Sequence, residues 1–294
     1  MILLIGFQGP IFTQLAETAP DNVIPHPLSR FSLNTIIDGL QMSLAHRCDE
    51  IIFIMGDLMA TAFAFKAISP YKYFGKFKKV TMIFADGEKP QWVKHRKSFE
   101  ELADKVVRMD VFNDEMDRKV IPGIYLPIKK EDWHFGGGKD IDFAFYGSLA
   151  LYSKRKEIIS FLQDAKTGII TAGGEETRYQ IDMMDALRRT KVTLNFSSCI
   201  SKPGKSHNGE VSQIKGRLWE AMVAKTVVIE DRNSESSKLF TDDEIVWYDD
   251  YREIPSLVDK LLTDYAWRET IVENAYRKAT KYCDPDYYWG KLLA

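Results

Sequence analysis

The residues best suited to chemistry lie in the stretch Lys215-Gly216-Arg217-Leu218-Trp219-Glu220-Ala221-Met222. Its apolar spacing predicts a helix over 214–224 with Lys215, Arg217 and Glu220 near the N-terminal end. Arg217 and Glu220 are three residues apart and so share a face. A carboxylate there can accept hydrogen bonds from both hydroxyls of a ribose, while a guanidinium beside it meets phosphate charge. A surface ion pair is the plainer alternative. A second group is Tyr146-Gly147-Ser148, a strand ending in small residues, with Lys154 and Arg155 just downstream. Backbone N–H groups at a helix N-terminus attract phosphate, and an arginine can hold it bidentately. Together they would seat a diphosphate; a solvent-exposed basic first turn is the alternative.

Three further strand ends carry candidate groups. In Phe84-Ala85-Asp86-Gly87-Glu88-Lys89-Pro90, Asp86 directly follows a buried strand, where a general base for a hydroxyl would sit. A turn or capping aspartate fits the same spacing. In Met55-Gly56-Asp57, Asp57 suits a helix N-cap and stands as the reserve base. Gly6-Phe7-Gln8-Gly9-Pro10 is a glycine turn without the full GxGxxG of a dinucleotide site. The five histidines are scattered without HxxxH spacing, and Asp140-Ile141-Asp142 enters a strand rather than leaving one, so no metal is expected.

These candidates need a scaffold that gathers strand ends. Short apolar runs, MILLIG, DEIIFIMGD, VTMIFADG and DKVVRMD, alternate with helical spacing such as 32–47 and 58–68. After Gly136-Gly137-Gly138 a second series follows, IDFAFYG, GIITAG, VTLNFS and TVVIED, separated by helical patterns at 154–163, 178–189, 214–224 and 254–262. Continuously apolar strands between helices mean parallel sheets covered on both faces. Ligands of such sheets bind outside the carboxyl ends of the strands. The triple glycine reads as a hinge, which sets expected domains at 1–138 and 139–294. Residues 266–293 read as a helix and then an aromatic segment, Tyr287-Tyr288-Trp289, packing back across the interdomain groove.

Composition narrows the class. A chain of 294 residues suits two domains, and 45% hydrophobic with 28% charged residues belongs to a globular protein. Its apolar runs are strand-sized, far below the roughly 20 residues of a membrane span. MILLIG has no basic flank and stops at Gln8-Gly9-Pro10, so it reads as a strand and not a signal peptide. Cys48, Cys199 and Cys283, odd in number and widely spaced, suit neither disulfides nor zinc, and point to the cytoplasm.

RLWEAMVAKTVVIED resembles the donor-binding signature of GT-B glycosyltransferases. It is similar to the spore-maturation (CgeB-like) group and to the β-glucosyltransferases of T-even phages, which glucosylate hydroxymethylcytosine in DNA. The likeness takes in IDFAFYGSL with Lys154-Arg155, VTLNFS and IVWYDDYREIPSLVDKLL, most of the second domain. It implies an α/β chain of two Rossmann-like doubly wound domains facing each other across a cleft. It also implies Gly147, Ser148 and Arg155 near a diphosphate, Arg217 on phosphate and Glu220 on ribose; Lys154 and Lys215, beside them in sequence, are further donor-binding candidates. Asp86 would deprotonate the acceptor in an inverting transfer. A nucleotide-sugar co-substrate, expected to be a UDP-sugar, and no cofactor complete the implication.

The acceptor is sought in local charge. Net charge is −2, yet residues 66–97 hold nine cations against two acids, a net of +7. Tyr71, Tyr73, Phe74, Phe77 and Trp92 are interleaved with them. Lys89, Trp92, Lys94, Arg96 and Lys97 flank Asp86 and would contact phosphates and stack on bases. Taken with the resemblance to the phage enzymes, this charge makes a hydroxylated base in phage DNA, flipped from its duplex, the expected acceptor, in the host cytoplasm. A bacterial glycan or protein is the alternative, and a non-catalytic nucleotide-sugar-binding module the alternative of another class.

Overall fold

The computed structural model of the chain describes residues 1–7, 10–28, 37, 41, 47–55, 69–70, 72, 76–84, 99–109, 120–121, 126–133, 136–149, 152–172, 182–199 and 211–294. It divides into two compact units, Met1–Lys129 with Tyr282–Ala294, and Lys130–Lys281.

The first unit is built on strands β1 (Ile2–Phe7), β2 (Val23–Leu28), β3 (Glu50–Met55), β4 (Lys79–Phe84), β5 (Lys105–Arg108) and β6 (Val120–Ile121). They lie in the order β2-β1-β3-β4-β5-β6, every neighbouring pair parallel. Side chains alternate between the two faces of a strand, and both faces here are covered. Leu3, Ile5, Ile51, Phe53 and Met55 enter one core cluster, while Ile2, Leu4, Ile52 and Ile54 enter another. That two-sided burial is why β1 and β3 are almost wholly apolar, whereas β2, at the sheet edge, leaves Pro25 and Pro27 exposed. Helix α1 (Pro10–Glu17) adds Phe12 and Leu15 to the second cluster.

The second unit holds β7 (Ile141–Tyr146), β8 (Ile170–Ala172), β9 (Thr190–Leu194), the short antiparallel pair β10 (Ser198–Cys199) and β11 (Val211–Ser212), then β12 (Val227–Asp231) and β13 (Val246–Tyr248). Its main sheet runs β13-β12-β9-β7-β8, all parallel. Helices α2 (Ser153–Asp164), α3 (Met183–Arg189), α4 (Gly216–Val223), α5 (Ile254–Thr263) and α6 (Tyr265–Tyr282) connect and extend it. Counted within the unit, the strand order is 2-1-3-4-5. The winding reverses between β7 and β9, so the chain leaves their carboxyl ends in opposite directions and a crevice opens there. Half-buried Lys139 organises the opposite end of this unit. Its Nζ donates to the carbonyls of Arg188 (3.0 Å), Thr190 (2.8 Å) and Ala224 (2.9 Å), placing a cation where α3 and α4 end.

The tail forms α7 (Pro285–Leu293), so the aromatic segment expected after a helix is itself helical. Asp284 accepts from the backbone N–H groups of Asp286 and Tyr287, and Pro285 fills the first turn, where its missing N–H costs nothing. Tyr288, Trp289 and Leu292 pack into the cluster of Ile2, Leu4 and Ile52. Burying Leu292 alone contributes about 1.5–3 kcal/mol. Lys79 Nζ donates to the carbonyl of Leu293 (3.1 Å), a cation at the helix C-terminus. The expected limits of 1–138 and 139–294 differ from the observed division at both ends. Residues 282–294 belong to the first unit through this packing. Residues 130–138 belong to the second, where Arg188 pairs with Asp132 at 3.3 Å. The triple glycine thus lies inside the second unit, and the division precedes it.

Candidate functional site

The carboxyl ends of β7 and β9 bring together residues far apart in sequence. Helix α4 buries Leu218, Trp219, Ala221, Met222 and Val223, which leaves Arg217 and Glu220 on its part-exposed face. Arg217 reaches back over the end of β7. A Cβ built on Gly147 would lie 2.6 Å from Arg217 Nη1 and 2.9 Å from Phe145 Cζ, so the guanidinium occupies the space a side chain would need. The Gly147 N–H itself is held by the carbonyl of Ala172 at 2.8 Å, which fixes the turn against β8.

Arg155 joins the two strand ends. It lies on the buried face of α2 with Ile158, Ile159 and Leu162. Its Nη1 donates to the carbonyl of Ser148 (3.4 Å) and its Nη2 to that of Phe196 (3.3 Å), while the guanidinium stacks 3.6 Å over the Tyr152 ring. Only 6% of Arg155 is exposed. The sequence pointed to this residue as a phosphate ligand; in the structure its guanidinium bridges the carbonyls of Ser148 and Phe196. Lys154 beside it is exposed.

A cavity of about 110 Å³ opens at this place, lined by Lys154, Arg155, Phe196, Ser197, Asn233 and Tyr248 among others. Beneath it lies Glu230, fully buried, accepting from Asn195 Nδ2 (3.0 Å), Ser236 Oγ (3.1 Å) and, at shorter range, Ser197 Oγ. Burial pushes the Glu230 pKa above its ordinary 4.5, and the bonds from Ser197 and Asn195 pull against it. Burial likewise raises the pKa of Glu220, opposed by the Arg217 charge. Lys215, the residue before α4, donates from Nζ to Oε1 of buried Gln213 at 2.5 Å.

The structure therefore gathers Gly147 with Arg217, and Ser148 and Lys154 with Arg155. Phe196, Ser197, Asn233, Tyr248 and Glu230 were not expected at the site. Their only signal was position, since each stands at or just beyond the end of a strand in VTLNFS, TVVIED or IVWY. In the first unit, Asp57, Asp86, Lys89, Trp92, Lys94, Arg96 and Lys97 lie outside the described residues. Of the basic stretch 66–97, Lys72 pairs with Asp104 at 2.5 Å and Lys78 with Asp49 at 2.9 Å. Both acids lie beyond that window, so its net charge overstates the local field. Among the described residues no three His, Cys, Asp or Glu side chains gather as a metal site would require, and no helix is long and apolar enough to cross a membrane.

Comparison with known proteins agrees with this geometry. Residues 137–294 match the family model described as glycosyl transferase-like. Among solved structures, Anabaena HepE in complex with UDP-glucose aligns over 99% of this chain and 98% of its own, at 10% identity and a TM-score of 0.64. Sucrose-phosphate synthase from Thermosynechococcus elongatus aligns over 99% and 96%, at 12% identity and a TM-score of 0.58. A DNA-modifying β-glucosyltransferase aligns over 100% of both chains, at 15% identity and a TM-score of 0.54. No curated protein matches the chain. At such identities the structural likeness speaks for the fold, whereas the family match spans more than half of the residues, the whole strand-end site among them. This protein belongs to the glycosyl transferase-like family and is a glycosyltransferase built on two Rossmann-like domains of the GT-B kind.

Proposed function

We propose that the second unit binds a nucleotide sugar, with UDP as its nucleotide, at the carboxyl ends of β7 and β9, and that the sugar is passed to a hydroxyl acceptor. The observation that carries this reading is the seat of Arg217 over Gly147, which sets a guanidinium against a bare backbone turn at the switch point of the sheet. A diphosphate there meets the Arg217 guanidinium beside a turn residue that has no side chain of its own. Glu220, on the same helix face, takes the ribose hydroxyls. HepE was solved with UDP-glucose, which supports the choice of uridine.

In the transfer, Asp86 takes the proton of the acceptor hydroxyl as that oxygen bonds the anomeric carbon. The bond from that carbon to the diphosphate breaks, and its electron pair leaves with the nucleoside diphosphate. Lys154, Arg155 and Arg217 stabilise that departing charge. Direct displacement inverts the anomeric centre. Asp57 is the reserve base.

The acceptor we favour is a hydroxylated base in duplex DNA, supported by the basic, aromatic stretch 66–97 and by the DNA-modifying relative in fold. The pairing of Lys72 and Lys78 with acids favours a second reading, transfer to a bacterial glycan or protein. The test is incubation with UDP-[14C]glucose and either hydroxymethylated duplex DNA or an oligosaccharide. Label in the DNA supports the first reading and label in the oligosaccharide the second. Binding of UDP with neither transfer nor hydrolysis would make the chain a binding module.

A further inference from the structure

Glu230 ends up where a carboxyl is costly, with no exposed surface. Removing an ionisable group from water is unfavourable, and a well-packed apolar residue often serves stability as well or better. What distinguishes Glu230 is the place its bonds reach. Oε2 accepts from Asn195, at the end of β9, and Oε1 accepts from Ser197, two residues on, and from Ser236 in the turn after β12. The Ser197 and Ser236 hydroxyls also stand 3.3 Å from each other. One carboxyl thus ties two segments, 195–197 and 230–236. Between and among these partners lie Phe196, Ser197, Asp231, Asn233 and Ser234, which line the cavity.

We propose that Glu230 is a positioning residue of the donor site, its carboxyl fixing the two strand-end segments that form the cavity walls. The proposal rests on the reading of that cavity as part of the nucleotide-sugar site. Glu230 touches no ligand itself and acts through Ser197 and its neighbours. A carboxylate only accepts hydrogen bonds, so it draws the donors of both segments to one point. A glutamine can hold the same segments, because its oxygen accepts and its amide group can donate to a serine oxygen or to Asn195 Oδ1.

The deciding variant is Ser236→Ala, since Ser236 bonds Glu230 but does not line the cavity. On the full chain, calorimetric titration with UDP is expected to show affinity lowered about 3- to 10-fold, less than the full worth of a bond to a charged group because the ligand feels its removal only through the cavity wall. In UDP-glucose hydrolysis KM should rise with kcat nearly constant. Glu230→Ala should lower affinity further, and Glu230→Gln should recover most of that loss. Folded Ser236→Ala and Glu230→Ala proteins that bind UDP as the parent does, and differ only in melting temperature, would reduce Glu230 to a brace of the fold. Should Glu230→Ala not fold, Ser236→Ala decides alone. A parent protein that binds no UDP removes the donor reading and this one with it; parent binding with unaffected variants removes only the role of Glu230.

Discussion

Arg217 stands over Gly147 at a distance that no alanine would tolerate, 2.6 Å from Nη1 to the position of a Cβ. Gly147 has no need of unusual backbone freedom; its part is to be absent as a side chain. Gly147→Ala should displace the guanidinium, the flexible partner, and also press on the buried Phe145 ring, 2.9 Å from the same Cβ. We expect UDP affinity to fall about tenfold, roughly 1.4 kcal/mol, with the melting temperature lowered by only a few degrees. Because one close approach underlies both effects, Gly147→Ala and Arg217→Ala should combine less than additively in a double-mutant cycle. Full additivity would mean that the two residues serve the ligand separately.

Glu220→Ala should weaken UDP binding by about 1–3 kcal/mol, the scale for removing a bond to a charged group. The pH dependence has a definite sign. Burial raises the Glu220 pKa, so on acidification its carboxylate is lost at a higher pH than an ordinary glutamate's, and affinity should decline correspondingly early. Stability moves the opposite way. The folded chain takes up this proton before the unfolded chain does, so the Glu220 contribution to stability increases as pH falls through the raised pKa and levels off below about 4.5. Parent and Glu220→Gln proteins, titrated with UDP and melted across pH 4–8, separate the two trends. Parallel curves would remove Glu220 from the site.

Asp86→Asn should cut turnover by about 10²–10⁴-fold, the loss typical of a general base, with UDP affinity unchanged. Asp57→Asn is the matched control, since asparagine caps a helix about as well as aspartate. If Asp86→Asn turns over near the parent rate and Asp57→Asn does not, the two exchange roles.

If the acceptor is duplex DNA, affinity should fall linearly with salt on a log–log plot, and each phosphate that is no longer neutralised should flatten the slope by about 0.9. Replacing Lys94, Arg96 and Lys97 together by uncharged residues tests this by fluorescence anisotropy at several salt concentrations. Lys72 and Lys78 already hold acids, so neutralising them should change the slope little. A slope unaffected by the triple change would move the acceptor surface elsewhere.

Much of this could be read from residue order. The runs at 51–55 and 80–84 are buried on both faces, and β3 and β4 carry them as parallel neighbours. Arg217 and Glu220 were legible because helical spacing alone puts them on one face. Glu230 was not. It lies near the end of an unremarkable apolar strand, and its partners Asn195 and Ser197 are 35 and 33 residues away, met only through the register of β12 on β9. Arg155 was legible as a cation but not as a bridge, since no local pattern tells that β9 will lie beside β7. The glycine run suggested the hinge, yet glycines have no side chains whose packing could define a boundary. A second boundary, at 281–282, is set by the burial of α7, whose apolar residues gave no hint of which sheet they would cover.

The return of α7 imposes an order on synthesis. Residues 282–294 leave the ribosome only after the whole of the second unit, although they complete the first one. Until then the face formed by Ile2, Leu4, Ile52 and Ile54 lacks Tyr288, Trp289 and Leu292. The unit begun first is therefore completed last: until α7 is made, the cluster that α1 has joined with Phe12 and Leu15 still lacks two of its largest side chains, Tyr288 and Trp289.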